Sequence, residues 1–143
     1  MSIKIFYGFE KSATFEKYLH FLYVLIVNNA VRYDMQFEAM SSLSILTSMF
    51  DNLPFYTTLL EPLLKFCENC GKMINKVERV AILQKCVFSI GNLAADSGEL
   101  LERIVQNIKF IQGFLNIFYE NDPVLISTAI WCLGNFSRKG TEN

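Results

Sequence analysis

The chain has 143 residues, 52% of them apolar, which is enough length and enough apolar surface to bury one core and excludes a disordered resting state. Thirteen Lys and Arg stand against fourteen Asp and Glu, and the resulting net charge of −1 gives no general attraction to nucleic acid. A single histidine, no Gly-rich phosphate loop, no Ser/His/Asp arrangement and no carboxylate cluster with ligand spacing argue against an enzyme, a metal site or a cofactor.

Taken in chain order, the opening MSIKIFYGFEK lacks the charged start, apolar run and small-residue cleavage site of a signal peptide, which reads as an intracellular protein. FEKYLHFLYVLIVNN follows as a helix. Its most apolar part, Tyr18 to Val27, is ten residues long and contains His20, whereas a membrane span needs roughly 20 apolar residues. It reads as a buried helix with His20 half-buried. MQFEAMSSLSILTSMF is a long helix. FYTTLLEPLLKFCENC supplies a short and a middle helix with Gly71 as the stop, GKMINK is a loop, and a long helix runs from about Val77 to Ala94. GELLERIVQN and KFIQGFLNIFYE form another shorter pair. Asp122 then caps a last long helix and Pro123 suits its first turn.

The four cysteines of a chain without secretory signals read as reduced thiols. Cys67 and Cys70 form a C-x-x-C. Structural zinc wants four ligands, however, and Cys86 and Cys132 lie singly in apolar helical patterns, while a redox pair would need a βαβ context that is missing. The pair reads as two small apolar residues on the last turn of a helix.

ILQKCVFSIGNLAADSG and LISTAIWCLGNFSRKGT repeat one another. Their shared Gly-Asn falls at 91 and 92, then at 134 and 135, a period of 43 residues. That spacing belongs to two- or three-helix solenoid repeats of about 40 to 47 residues. Cys86 then matches Ala129, Val87 matches Ile130, Phe88 matches Trp131, Ile90 matches Leu133 and Leu93 matches Phe136. Small residues recur where helices must approach and large ones where they interlock.

These long helices resemble the armadillo repeats of importin-α, the adaptor that carries cargo with basic nuclear localisation signals. QFEAMSSLSILTS, CVFSIGNLAADS and AIWCLGNFSRKG are similar, in that order, to the ends of its first three repeats, over roughly residues 30 to 143. The resemblance implies an all-α, right-handed armadillo-type solenoid: a single domain over 1–143 with repeats at about 15–50, 54–96 and 99–139. It implies a protein of cytoplasm and nucleus that binds basic, extended peptides of cargo proteins in a concave groove. Trp131 and Asn135 line that groove in the family's pattern, Phe88 and Asn92 stand one period earlier, and Asp96 matches the family's acidic position. The chemistry is coherent, since an asparagine amide both donates to and accepts from an extended backbone. A ring face attracts a Lys or Arg stem and charge at about 0.5 to 2 kcal/mol per contact.

The pattern also departs from the family. Aligned on QFEA, Ser41 falls at the tryptophan position and Ile45 at the asparagine position, so no clamp is left in the first repeat. Lys85 stands in a groove-facing place where the family has an uncharged amide. The family's basic N-terminal segment, by which it recruits importin-β, has no counterpart in MSIKIFYGFEK, which argues against importin-β as a partner. The last layer is expected to expose Ile130, Leu133 and Phe136 and so to offer a surface for self-association or for a partner protein. The alternative function is therefore a non-catalytic armadillo scaffold with a degenerate groove. Neither reading calls for nucleic acid or a membrane.

Overall fold

A computed structural model describes residues 12–28 and 30–140; the side chains of residues 139 and 140 are not described. The expectations drawn from MSIKIFYGFEK lie outside the described residues. The described chain is all-α, with seven α-helices and no strand. They are α1 (Ala13–Val27), α2 (Tyr33–Met49), α3 (Phe55–Cys70), α4 (Lys76–Asp96), α5 (Gly98–Gln106), α6 (Ile108–Leu115) and α7 (Pro123–Phe136). Short 3-10 turns cover Asn116–Glu120 and Ser137–Gly140.

Five helices begin where a short polar side chain accepts from the backbone N–H three residues on, replacing one orphan bond of the first turn. Ser12 caps α1, Asn75 caps α4, Ser97 caps α5, Asn107 caps α6 and Asp122 caps α7, at 2.9 to 3.2 Å. Ser97 also ends α4 and Asn107 also ends α5, so two corners are each turned by a single residue. Pro123 takes the first turn of α7, as its fixed φ allows.

The expected break inside FYTTLLEPLLKFCENC is absent. Phe55–Cys70 is one helix with Pro62 in its middle. Proline removes one N–H and strains the preceding turn at a cost of about 3 kcal/mol. Leu59, Leu60, Leu63 and Leu64 flank it on both sides and are all buried, which holds the halves in one rod. The helix stops at Gly71 as anticipated, but with φ −62 rather than in the left-handed region. Among the described residues, the two non-glycine residues with positive φ are Asn52 and Asn121, in the links that lead into α3 and α7. Asparagine tolerates that conformation better than most residues.

The long helices α2, α4 and α7 form one row, with α4 packed between the other two. Helices α1, α3 and α6 form a second row, and α5 turns the corner from α4 to α6. A continuous apolar core runs between the rows, built from residues such as Met40, Leu63, Ile82, Cys86, Phe110 and Leu125. Tyr56 ties the first corner, its hydroxyl donating to the carbonyls of Leu46 and Phe50. Burial, with Asp96 and Asp51 nearby, pushes its phenol well above the usual tyrosine range.

Candidate functional site

The candidate residues sit on the row of long helices. Trp131 lies on α7 with its indole stacked on the Phe88 ring of α4, centroids 5.2 Å apart and planes inclined by 22°. The ring rests on Gly91, where a Cβ would come within 2.4 Å of its Cζ3 atom. The shared Gly-Asn of the repeat thus has a steric reason at its first occurrence: only glycine leaves room for the indole. Phe88 is half-buried and Trp131 keeps 40% of its surface exposed.

The amides behave differently from the rings. Asn135 is buried, and its Nδ2 donates to the Gly91 carbonyl at 2.9 Å. Asn92 is half-buried, and its Nδ2 donates to the Thr47 hydroxyl on α2 at 3.1 Å. Each amide therefore reaches back to the preceding long helix and spends one donor on the joint between layers. Trp131 and Asn135 do not present a common surface, because four residues advance a helix by about 400°, leaving roughly 40° between the two side chains. The ring turns outward and the amide inward.

Asp96, expected at the end of a cation slot, accepts from the backbone N–H of Asn52 at 2.8 Å. The carboxylate holds the left-handed turn after α2 against the end of α4. Lys85 is half-buried on the helix turn preceding Phe88, and Arg138 is exposed. On α2 the matching stripe carries Ser41, Ile45 and Ser48, with neither ring nor amide. Ile45 is 59% exposed and the Ser48 hydroxyl donates to its carbonyl.

Three other expectations meet the structure here. His20 is exposed rather than half-buried. Ile130 is exposed and Leu133 half-buried, as anticipated for the last layer, but Phe136 is buried against Phe110 and Phe114. Phe136 stands six residues from Ile130, about 120° round the helix, which takes it off the exposed side of α7 and into the core. All four cysteines are buried free thiols, and no group of three or more ligating side chains among the described residues could hold a metal. Burial pushes the Cys70, Cys86 and Cys132 thiols up.

One element went unseen in the sequence. The Arg79 guanidinium donates twice to the Glu120 carboxylate, at 2.5 and 2.8 Å, and once to the Met73 carbonyl at 2.7 Å. This fork clamps the start of α4 to the turn that precedes α7. The bond from Arg79 holds the Glu120 carboxyl below its ordinary range, partly opposed by burial.

The described residues thus define an all-α protein of layered helices, consistent with an α-solenoid. No protein-family model, no curated protein and no solved structure matches the chain. No helix among the described residues is long and apolar enough to cross a membrane.

Proposed function

We propose that the chain is a non-catalytic protein-binding module of armadillo type, related in design to importin-α, that holds an extended basic peptide along the inner row of long helices. The observation that carries this reading is the indole of Trp131. It is 40% exposed, yet it stands on a rigid base of Phe88 and Gly91. A large exposed aromatic on a fixed support is the usual form of a contact anchor, because little conformational freedom is lost on binding. Its outward face can take the aliphatic stem and charge of a lysine or arginine. Asn92 has one amide donor engaged with Thr47, and a carboxamide carries a second N–H and a carbonyl that can meet a peptide backbone.

A second reading is favoured by the ring geometry itself. Admitting an alkyl stem between two rings requires roughly 7 to 8 Å, two contacts of about 3.5 to 4 Å each. Phe88 and Trp131 are 5.2 Å apart, so the slot between them is closed. With Asn135 turned inward as well, the chain would act as a scaffold through other protein–protein contacts, its groove reduced to one open face.

Titration of a fluorescent Lys/Arg-rich peptide distinguishes the two. The peptide-binding reading expects micromolar binding, on the order of −8 kcal/mol at most, from so few anchors. Trp131→Ala should abolish it and Lys85→Gln should strengthen it by removing a like charge. Identical binding by the wild type and Trp131→Ala, or none by either, would leave the scaffold reading.

A further inference from the structure

The C-x-x-C of α3 has no part in peptide binding. Cys67 and Cys70 stand three residues apart on the last turns of that helix. A regular helix holds Cβ atoms at that spacing about 5–6 Å apart, beyond the roughly 3.5–4.5 Å that a disulfide spans, so the two are poor partners for each other. The structure offers Cys67 a different partner. Helices α3 and α4 pack directly, and the Cys86 thiol of α4 donates to the Leu63 carbonyl at 3.9 Å. Leu63 lies one turn before Cys67, and the Cys86 thiol is also in hydrogen-bond contact with the Cys67 thiol. Access separates the two sulfurs. Cys86 is sealed in the core, whereas Cys67 lines a cleft of about 270 Å³ between α3 and α6, with Gly71 and Gly113 in its walls and the exposed Lys72 and Lys109 at its rim.

We infer that Cys67 and Cys86 form an oxidation site, which hydrogen peroxide entering the cleft closes into a disulfide between α3 and α4. The Cys67 thiolate attacks one peroxide oxygen. An S–O bond forms, the O–O bond breaks, and the departing hydroxide takes up the proton that the thiol released, becoming water. Cys86 then attacks the sulfenic sulfur. The S–S bond forms, the S–O bond breaks, and the second hydroxide leaves with the Cys86 proton as water. Two thiols are oxidised and one peroxide is reduced. Burial, and then the contact with Cys67, holds the proton on Cys86, which suits it to the second step. The link ties the two rows of helices across the core and closes the chain between residues 67 and 86, which restricts the unfolded state. The pair stands whether or not the groove holds a peptide.

The test treats the folded full chain with hydrogen peroxide, alkylates it under denaturing conditions and maps its peptides without reduction. The expected result is the loss of two hydrogens from the intact chain and of half of its four free thiols. A single cross-link should join the peptides of Cys67 and Cys86, dithiothreitol should reverse it, and the oxidised chain should unfold at a higher urea midpoint. Cys86→Ala installs the residue type that stands one period later, at Ala129. It should leave Cys67 as a sulfenic acid that dimedone captures, an adduct the wild type should yield only in traces. Cys67→Ala should give neither adduct nor cross-link. If a variant fails to fold, the wild-type map still decides. A link from Cys67 to Cys70 or Cys132, a link between two chains, or no thiol loss under peroxide that oxidises the urea-unfolded chain overturns the site. A lowered urea midpoint of the oxidised chain overturns it too, since the link would then not fit the packed helices.

Discussion

The two joints between long helices are built on one plan and finished differently. At the α2–α4 joint, Asn92 donates to a side-chain hydroxyl, Tyr33 donates to the Glu78 carbonyl, and Asp96 holds the link through Asn52. At the α4–α7 joint, Asn135 donates to a backbone carbonyl in a dry setting, two rings stack over a glycine, and a forked ion pair closes one end. The first joint is stitched by single polar contacts, and the second couples polar and packing contacts at the same few residues. A glycine in the middle of a long helix, costing about 1 kcal/mol in propensity, is what makes the second arrangement fit.

The comparison can be broken most sharply at the indole. Trp131→Ala should destabilise by about 2–3 kcal/mol, less than the 3–5 kcal/mol of a fully enclosed tryptophan because the ring is partly in water. Urea unfolding followed by circular dichroism measures it; a loss below half a kcal/mol would reduce the stack to a surface contact. Next come the amides. Asn135→Ala should cost about 1–2 kcal/mol and Asn92→Ala about 0.5–1 kcal/mol, since the first is buried and the second keeps access to water. An inverted order would mean that the joints have been ranked wrongly.

The glycines give a smaller effect with a change of sign. Gly134→Ala should stabilise by about 0.5–1 kcal/mol through helix propensity alone. The same change at Gly91 gains as much propensity but displaces the indole, so its net effect should be zero or unfavourable, with a red shift of tryptophan emission. The smallest effect concerns pH. Glu120 has a lowered folded-state pKa, so its contribution is present above the ordinary carboxyl pKa of about 4.3 and is lost as pH falls through the lower folded value. Glu120→Gln should flatten the acid side of the stability profile. Only 15% of its side chain is exposed, yet the fork is one ion pair at the end of the joint, so the change should be modest.

What was legible in the sequence follows from local chemistry. Asp122 and Pro123 announced the start of α7 because capping is decided within four residues, and the 43-residue period announced the matched helices because stacking layers repeat their contacts. The continuity of α3 was not legible. FYTTLLEPLLKFCENC read as two helices, and only the four leucines buried around Pro62 make it one rod. Nor was the fork between Arg79 and Glu120, which joins residues 41 positions apart with no local signature. For the candidate site, the aromatic positions were readable from spacing, but the direction of Asn135 was not. Spacing gives the face of a helix to within a few tens of degrees, and that margin separates a groove from a joint.

Each of the four cysteines is enclosed, and burial raises the pKa of three of them, so the reactive thiolate is scarce while the layers stay closed. Cys132 belongs to the last layer, Cys86 to the middle one, and Cys67 and Cys70 to the rod beside it. An alkylating reagent would therefore mark each part of the molecule only as often as it opens, and the chain carries, in its own sulfur atoms, a clock for its breathing.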